Sequence, residues 1–423
     1  MSNPVLNLIF DKWNGDNEIP NCKGMFPNSL INNFDDYKIE YLNSIGFNQI
    51  MIDIKKYNIH DAYLNPDMKF YYFICHGNCD LKSMFSPIES LSLELRWYLK
   101  LCDNINVVYQ THHESDSFEG YKELLMYIRK YGFKEKNFHI INNNSNLKTF
   151  TQEIDSQIDL FSVSFLPHSA ANGLIHIGGC NLIPEKNGKF FMTFNKGPKL
   201  HRFALLTNLM RYRILSETNW SFIPNHFIQY KNRYKKILND NEIENLNEEI
   251  NYFNNLKLKV SDYESEYLTF NEKNDLIMRY PNLNVGGNPE LPFNYENSYV
   301  NITTESDYFN DNKTIHITEK SLKPFFYYQI PIFLATTGHI KKLKERYDFD
   351  FFDDIIDNTY DNEIDDKKRF KMIIKEIVRL NDNKEMIKEF YKNNLERFEQ
   401  NKEKVVNIGR YNSDYLYYYN LTK

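Results

Sequence analysis

Short apolar runs alternate with longer helical patterns through the first half of the chain. The runs are rich in Val, Ile, Phe and Tyr, which favour β-strands, and each has the length of one buried strand. Strands that alternate with helices are typical of parallel α/β layers. The predicted strands cover residues 5–10, 49–54, 70–75, 105–110, 138–142 and 160–165.

Residues 120–131 show the helical pattern that lies between these strands. Tyr121, Leu124, Leu125 and Ile128 recur at helical spacing, and Gly132 follows them as a C-terminal stop. The spacing therefore predicts a helix over 120–131 and a βα unit with the strand that precedes it.

Residues 183–188 predict a domain boundary, because Pro184 and Gly188 surround charged residues as in a linker and the β/α alternation then resumes. A strand at 189–195, a turn at Gly197-Pro198 and a helix at 201–215 predict the first unit of a second Rossmann-like domain. Further predicted strands cover 299–303, 314–318 and 330–335, and further predicted helices cover 367–380 and 384–403.

A chain of 423 residues exceeds one domain, since domains usually have roughly 100–200 residues. We expect an α/β protein with two Rossmann-like domains at 1–185 and 186–405 and a tail at 406–423. Residues 225–282, rich in Asn, Lys and Glu, predict helices with a long excursion. This excursion is either an acceptor-side insertion or a solvated helical pair.

Composition narrows the class of protein. Hydrophobic residues make up 42% of the chain, which is enough to build globular cores. The net charge of -6, with Lys and Arg mixed among Asp and Glu, disfavours nucleic acid as the main partner, because phosphate backbones select for concentrated positive charge. Five cysteines without the paired spacing of a zinc site fit a reducing cytoplasm. No run approaches the ~20 apolar residues of a membrane span, so we expect a cytoplasmic protein without one.

The stretch Thr318-Glu319-Lys320 carries the most informative chemistry. A strand is predicted to end there, a short helix with Phe325-Phe326 follows, and another apolar strand begins at Ile330. Ligands of open α/β sheets lie beyond the carboxyl ends of the strands, where a carboxylate can accept ribose hydroxyl protons and an ammonium can neutralise a diphosphate. A cation near a helix N-terminus also opposes the macrodipole unless an anion lies nearby. A surface Glu-Lys pair is the structural alternative.

The turn at residues 194–202 is a second candidate phosphate contact. It places Lys196, Lys199, His201 and Arg202 near Asn195, at the end of a predicted strand. Arginine can clamp phosphate oxygens with two parallel hydrogen bonds.

These residues resemble the donor motif of the α1,3-fucosyltransferase family, glycosyltransferase family 10. Members have a Thr-Glu-Lys, a short helix and an Ile/Val-Pro-Ile/Val strand, which here are similar to Thr318-Glu319-Lys320, the helix with Phe325-Phe326 and Ile330-Pro331-Ile332. The strand with Glu305 resembles the family's upstream strand. The opening Asn-x-x-Pro-x-x-His-Arg at 195–202 also looks like glycosyltransferase-like proteins of large viruses and phages.

The resemblance implies a GT-B fold, an inverting transfer without a required metal or other cofactor, and a GDP-sugar donor, with fucose as the sugar. It implies that Glu319 binds ribose and that Lys320 and Arg202 hold the pyrophosphate. Asn195, Lys196 and Glu305 are further donor-binding candidates. The N-terminal domain would then bind a glycan acceptor, and the tail would pack back on it; an oligomer contact is the alternative for the tail.

An inverting transfer needs a general base that takes the proton of the acceptor hydroxyl. In a GT-B enzyme this base comes from the N-terminal domain, where the predicted strand at 105–110 leads into a polar loop. Glu114-Ser115 resembles the Glu-Ser step of the family's acceptor-side loop, so Glu114 is the favoured base. Asp116 and His113 are alternatives, as is a purely structural loop.

Other interpretations stay open. Asp348-Phe349-Asp350 has the Asp-x-Asp spacing of metal-dependent transferases, although it follows a Lys-rich helical stretch and aromatic residues flank it. A transferase that adds sugar to hydroxylated DNA bases would need a basic cleft that the overall charge does not indicate. A nucleotide-sugar-binding protein without catalysis is the third alternative.

Overall fold

The computed structural model describes two compact units of the chain. The first contains the described residues up to 162 together with 314–316 and 410, and the second contains those at 186–310 and 317–409. The described residues are 5–9, 53–76, 91–111, 118–142, 144–162, 186–195, 199–221, 237, 297–310 and 314–410.

The described strands of the first unit form one parallel sheet. Its order is β2-β1-β3-β4-β5-β6, so the direction of strand addition reverses at β1. Ladder pairs such as Tyr72 with Val107 are buried, and one apolar core packs against the sheet. The strands are β1 (Val5–Ile9), β2 (Asp53–Tyr57), β3 (Phe70–His76), β4 (Ile105–Thr111), β5 (Phe138–Asn142) and β6 (Asp159–Ser162).

The described helices of the first unit bury one face each against this sheet. They are α1 (Ile59–Leu64), α2 (Leu93–Leu101), α3 (Phe118–Tyr131) and α4 (Leu147–Glu153). In α3 the residues at helical spacing are buried as predicted. Gly132 ends it with φ +69, a left-handed conformation that glycine adopts without steric cost.

The described strands of the second unit form another parallel sheet, in the order β10-β9-β7-β8. The strands are β7 (Phe191–Phe194), β8 (Thr218–Ser221), β9 (Val300–Thr304) and β10 (Ile330–Leu334). Strand addition reverses between β7 and β9, and β9 and β10 are buried along their whole length. Each described unit is therefore α/β with a parallel sheet, an arrangement compatible with a Rossmann-like fold.

Six helices in the described part of the second unit accompany its sheet: α5 (Leu200–Arg211), α6 (Lys323–Phe326), α7 (His339–Tyr347), α8 (Asp366–Asp382), α9 (Lys384–Asn393) and α10 (Leu395–Arg410). Arg369 of α8 is 1% exposed. Its guanidinium donates to Tyr308 O (2.6 Å) and Ala335 O (3.1 Å), and so it joins the loops that follow β9 and β10.

Several predicted elements differ in the structure; the strand predicted at 49–54, for example, is described at Asp53–Tyr57. Helix α5 ends before Leu215, because Arg213 adopts φ 58 and Ile214 N bonds back to Leu209 O (2.7 Å). The helix predicted at 384–403 is two helices separated at Asn394, whose amide donates to Phe390 O (2.9 Å) and competes with the helical ladder.

The strand predicted at 314–318 is not a strand. Ile315 bonds instead to the loop after β5, where its N–H donates to the Asn144 side chain (3.0 Å) and its carbonyl accepts from Ser145 N (2.8 Å). Only an isolated bridge between Asn144 and His316 is formed there. Of the excursion at 225–282, only residue 237 is described, and the tail beyond Arg410 lies outside the described residues.

Among the residues that the structure describes, none of the helices combines the length and the apolarity of a membrane-spanning segment.

Candidate functional site

Charged side chains gather at the carboxyl edge of the second sheet, next to the reversal between β7 and β9. Parallel α/β sheets bind their ligands in this position, because the loops that follow the two strands diverge and leave a crevice. Three segments contribute: the loop after β7 with the start of α5, the loop after β9, and the turn at Thr318–Ser321.

The start of α5 contributes two buried basic side chains, His201 and Arg202. His201 Nε2 donates to the Glu305 carbonyl (2.9 Å), so the proton of the neutral ring lies on Nε2. Burial holds the pKa of His201 well below its usual value, and its ring stacks on Tyr308. Arg202 is 5% exposed and makes long contacts from its guanidinium to Thr304 O (3.4 Å) and Glu305 O (3.5 Å).

Arg202 keeps its charge in this environment. Burial lowers its pKa, while Glu305 and Glu319 raise it, and the residue type stays protonated at any physiological pH. No acidic residue lies in the first turn of α5. A cation at this end of a helix opposes the helix dipole, so the position favours an added anion.

Glu305 is the most enclosed carboxylate of the cluster, with no exposed surface. Its Oε2 accepts from Thr318 Oγ1 (2.7 Å) and from Ser306 N (3.2 Å), and its Oε1 accepts from Ser321 Oγ. Burial alone would raise the pKa of this carboxyl, but Lys320, His339 and the two hydroxyl donors outweigh it and hold the pKa below its usual value. Glu305 is therefore an ionised, buried acceptor.

The Thr318–Ser321 turn presents two partly exposed charges. Thr318 caps a 3-10 turn, because its Oγ1 accepts from Lys320 N (3.2 Å). Lys320 Nζ lies 2.8 Å from Glu319 Oε1, and the side chains are 28% and 22% exposed. Both charged groups are therefore partly accessible to solvent.

Both groups of this pair are charged at neutral pH. Burial would raise the pKa of Glu319, but Lys320 and Lys323 lower it to about 2. Burial would lower the pKa of Lys320, but Glu319 and Glu305 raise it above its usual value. A carboxylate and an ammonium thus lie side by side on one turn, which suits a ligand that has both hydroxyl and phosphate groups.

Asn195 follows β7 and is buried. Its Oδ1 accepts from Thr304 Oγ1 (2.5 Å), and its Nδ2 donates to Thr193 Oγ1 (3.2 Å). Lys199, at the start of α5, donates from Nζ to Ser306 O (2.7 Å). These bonds fix the β7 loop against the β9 loop.

The structure brings together seven of the residues that the sequence singles out: Asn195, Lys199, His201, Arg202, Glu305, Glu319 and Lys320. Lys196, Glu114, Asp116 and His113 lie outside the described residues, and so their roles stay predictions.

Sequence reasoning missed Ser321 and His339. Ser321 Oγ donates its proton to Glu305, so His339 Nε2, 3.0 Å away, donates to Ser321 Oγ. Ser321 directly follows the Thr-Glu-Lys stretch and could have been included with it. His339 comes 18 residues later at the start of α7, and no sequence pattern connects it to Glu305.

The acidic residues of Asp348-Phe349-Asp350 pair with cations of α10. Asp350 Oδ2 accepts from Arg397 Nε (2.6 Å), and Asp348 Oδ2 lies 3.0 Å from Lys404 Nζ. Phe349 stacks on Phe325 at 4.0 Å between ring centroids. In the part of the chain that the structure describes, no three His, Cys, Asp or Glu side chains gather in the geometry of a metal site.

Comparisons with models of protein families, with curated proteins and with solved structures found no match to this chain.

Proposed function

We propose that the chain is an inverting glycosyltransferase of the GT-B kind, which transfers a sugar from a GDP-sugar, with GDP-fucose as the first candidate, to a glycan hydroxyl. The observation that carries the proposal is the meeting of Arg202, Glu319 and Lys320 at the strand reversal of the second sheet. The resemblance of the Thr-Glu-Lys stretch to family 10 supplies the donor class.

The charges of the cluster match the parts of a nucleoside diphosphate. Lys320 and Arg202 would neutralise the diphosphate, since Arg can offer two parallel donors and Lys a mobile ammonium. Glu319, ionised because its pKa lies at about 2, would accept protons from the ribose hydroxyls. Lys320 would then exchange part of its contact with Glu319 for contact with phosphate oxygens.

The same cations would assist the chemical step. Negative charge develops on the departing GDP as the bond between the anomeric carbon and the phosphate oxygen breaks, and fixed cations stabilise that charge. The acceptor oxygen forms its bond to the anomeric carbon from the opposite face, and its proton passes to a general base. Glu114 in the first unit is our candidate for that base, with Asp116 and His113 as alternatives.

A thermal-shift panel with GDP, UDP, CDP and ADP tests the proposal, because a ligand that binds only the folded chain raises the melting temperature. We expect the largest rise with GDP, followed by transfer from GDP-fucose or GDP-mannose to acceptor sugars. A rise specific to UDP would keep the site and replace the donor. No rise with any nucleotide would contradict the proposal. GDP-sugar binding without turnover on any acceptor would leave a nucleotide-sugar-binding protein.

A further inference from the structure

We propose that Glu305 is a positioning residue, which holds Lys320 and Arg202 in the geometry that engages a nucleoside diphosphate without itself contacting the ligand. The inference rests on the proposed function, because it concerns the same crevice. It assigns Glu305 a role different from the direct donor contact that the sequence suggests.

The burial of the Glu305 side chain is the first observation that supports a positioning role. Its side chain has no exposed surface, and both carboxylate oxygens accept from the protein: Oε2 from Thr318 and Ser306, Oε1 from Ser321. A ligand that bound this carboxylate would have to displace hydroxyl donors from a buried charge, which costs more than binding at the partly exposed Glu319.

A continuous chain of hydrogen bonds joins Glu305 to Lys320. Thr318 Oγ1 donates to Glu305 Oε2 (2.7 Å) and accepts from both the backbone N (3.2 Å) and the Nζ (3.3 Å) of Lys320. With its proton committed to Glu305, the Thr318 oxygen offers its lone pairs to Lys320. The carboxylate thereby fixes the rotamer of Thr318, and Thr318 fixes the direction of the ammonium.

The backbone of Glu305 reaches the other cation. Its carbonyl accepts from His201 Nε2 (2.9 Å) and contacts the Arg202 guanidinium (3.5 Å). His339 at the start of α7 completes the enclosure through Ser321, with its Nε2 4.0 Å from Glu305 Oε1. One residue therefore connects the starts of α5 and α7 with the Thr318–Ser321 turn.

The direction of the change in diphosphate affinity distinguishes a positioning role of Glu305 from a purely electrostatic one. Lys320 and Arg202 repel each other, and Glu305 lies near both. If Glu305 acted only through its field, removing its charge would strengthen the attraction of the crevice for a diphosphate. If Glu305 positions the cations, its change to Gln will weaken diphosphate binding, because Gln keeps one acceptor oxygen for the two hydroxyls of Thr318 and Ser321.

The experiment is a double-mutant cycle on the full chain, with GDP affinity measured by calorimetry for the wild type, Glu305→Gln, Lys320→Ala and the double variant. We expect Glu305→Gln to lower GDP affinity about tenfold, which corresponds to about 1.4 kcal/mol. In the Lys320→Ala background the same change should have little effect, because residues that act through one another are non-additive. Glu305→Asp, which keeps the charge but shortens the side chain, should restore part of the affinity.

Controls separate positioning from a general loss of stability. Ile387→Val and Ile387→Ala remove buried methyl groups on α9 and lower the melting temperature in steps, and both should leave GDP affinity unchanged. If Glu305→Gln does not fold, Thr318→Val replaces the orienting hydroxyl by a methyl group in the same cycle. Thr318→Ser keeps the hydroxyl and should retain more of the GDP affinity than Thr318→Val.

The experiment distinguishes failure of the positioning role from failure of the proposed function. Unchanged or tighter GDP binding in a folded Glu305→Gln chain, or equal losses in both backgrounds, would overturn the positioning role and leave the proposed function intact. A wild-type chain that binds no nucleoside diphosphate would overturn the proposed function and, with it, this inference.

Discussion

At the carboxyl end of β5 in the first unit, neutral amides hold the chain to itself, whereas at the carboxyl end of β9 in the second unit, charges gather beside the strand reversal. Asn142 and Asn144 have no exposed surface, and Asn144 Oδ1 accepts from Ile315 N and from Asn146 N (2.9 Å). In the second unit Glu305 and Arg202 are buried and ionised, with Lys320 at their edge.

The difference matters because burying an ion costs far more than burying an amide. An amide cluster that satisfies backbone groups is explained by stability alone. A cluster with two cations and two carboxylates at the carboxyl edge of a parallel sheet is the arrangement that functional sites commonly have. The candidate ligand site of the proposed transferase therefore lies in the second unit. The proposed general base belongs to a loop of the first unit that lies outside the described residues.

The largest expected effect is on catalysis in the first unit. Glu114→Gln should lower the rate of transfer by roughly 10²–10⁴-fold, since the acceptor hydroxyl loses its general base. GDP affinity should stay near that of the wild type. Transfer kinetics beside calorimetry on one preparation check both parts, and Asp116→Asn and His113→Gln are the matched variants. If Asp116→Asn carried the loss instead, the base would be reassigned.

The second-largest expected effect is on the unfolding free energy of the second unit at acid pH. The folded pKa of Glu319, about 2, lies below its ordinary 4.5, so its contribution is complete above pH 4.5 and is lost as the pH falls toward 2. Lost in full, it amounts to at most about 3 kcal/mol of unfolding free energy. Urea unfolding across this range should show a smaller decline for Glu319→Gln than for the wild type. Equal declines in the two chains would contradict a contribution of Glu319 to the loss of unfolding free energy at acid pH.

Lys320→Ala should weaken GDP binding by roughly 1.5–3 kcal/mol, which is more than tenfold in affinity, because a charge-assisted contact is removed. Lys341→Ala on α7 is the matched control, since that ammonium belongs to a 70% exposed side chain. Isothermal calorimetry at one salt concentration compares the two variants. Identical affinities for wild type and Lys320→Ala would contradict the phosphate assignment.

The smallest effect tests the amide cluster of the first unit. Asn144→Ala removes the acceptor of Ile315 N and Asn146 N and should lower the unfolding free energy by about 1–3 kcal/mol. Asn146→Ala is the control, because that side chain makes no capping bond at the start of α4. GDP affinity should stay unchanged in both variants. A loss of GDP binding in Asn144→Ala would contradict the assignment of a purely stabilising role to the amide cluster.

The predicted and observed elements agree where periodicity is strong. The strand at Phe138–Asn142 has the predicted bounds, and α3 begins two residues before its predicted start and ends where expected. The segment at 314–318 misled the prediction, because Ile315 and Ile317 alternate with polar residues like a strand. Its hydrogen bonds go to Asn144, which lies more than 150 residues earlier in the chain, and local alternation carries no information about such a partner.

The sequence by itself determined that the chain builds parallel α/β layers and that Glu319 and Lys320 lie at a polar turn, since both depend on local patterns. Only the tertiary structure decided that Arg202, Glu305 and Lys320 meet, and that Ser321 and His339 complete the enclosure of Glu305. The physical reason is that strand order decides which loops are neighbours, and long-range hydrogen bonds and desolvation then set the state of each charge.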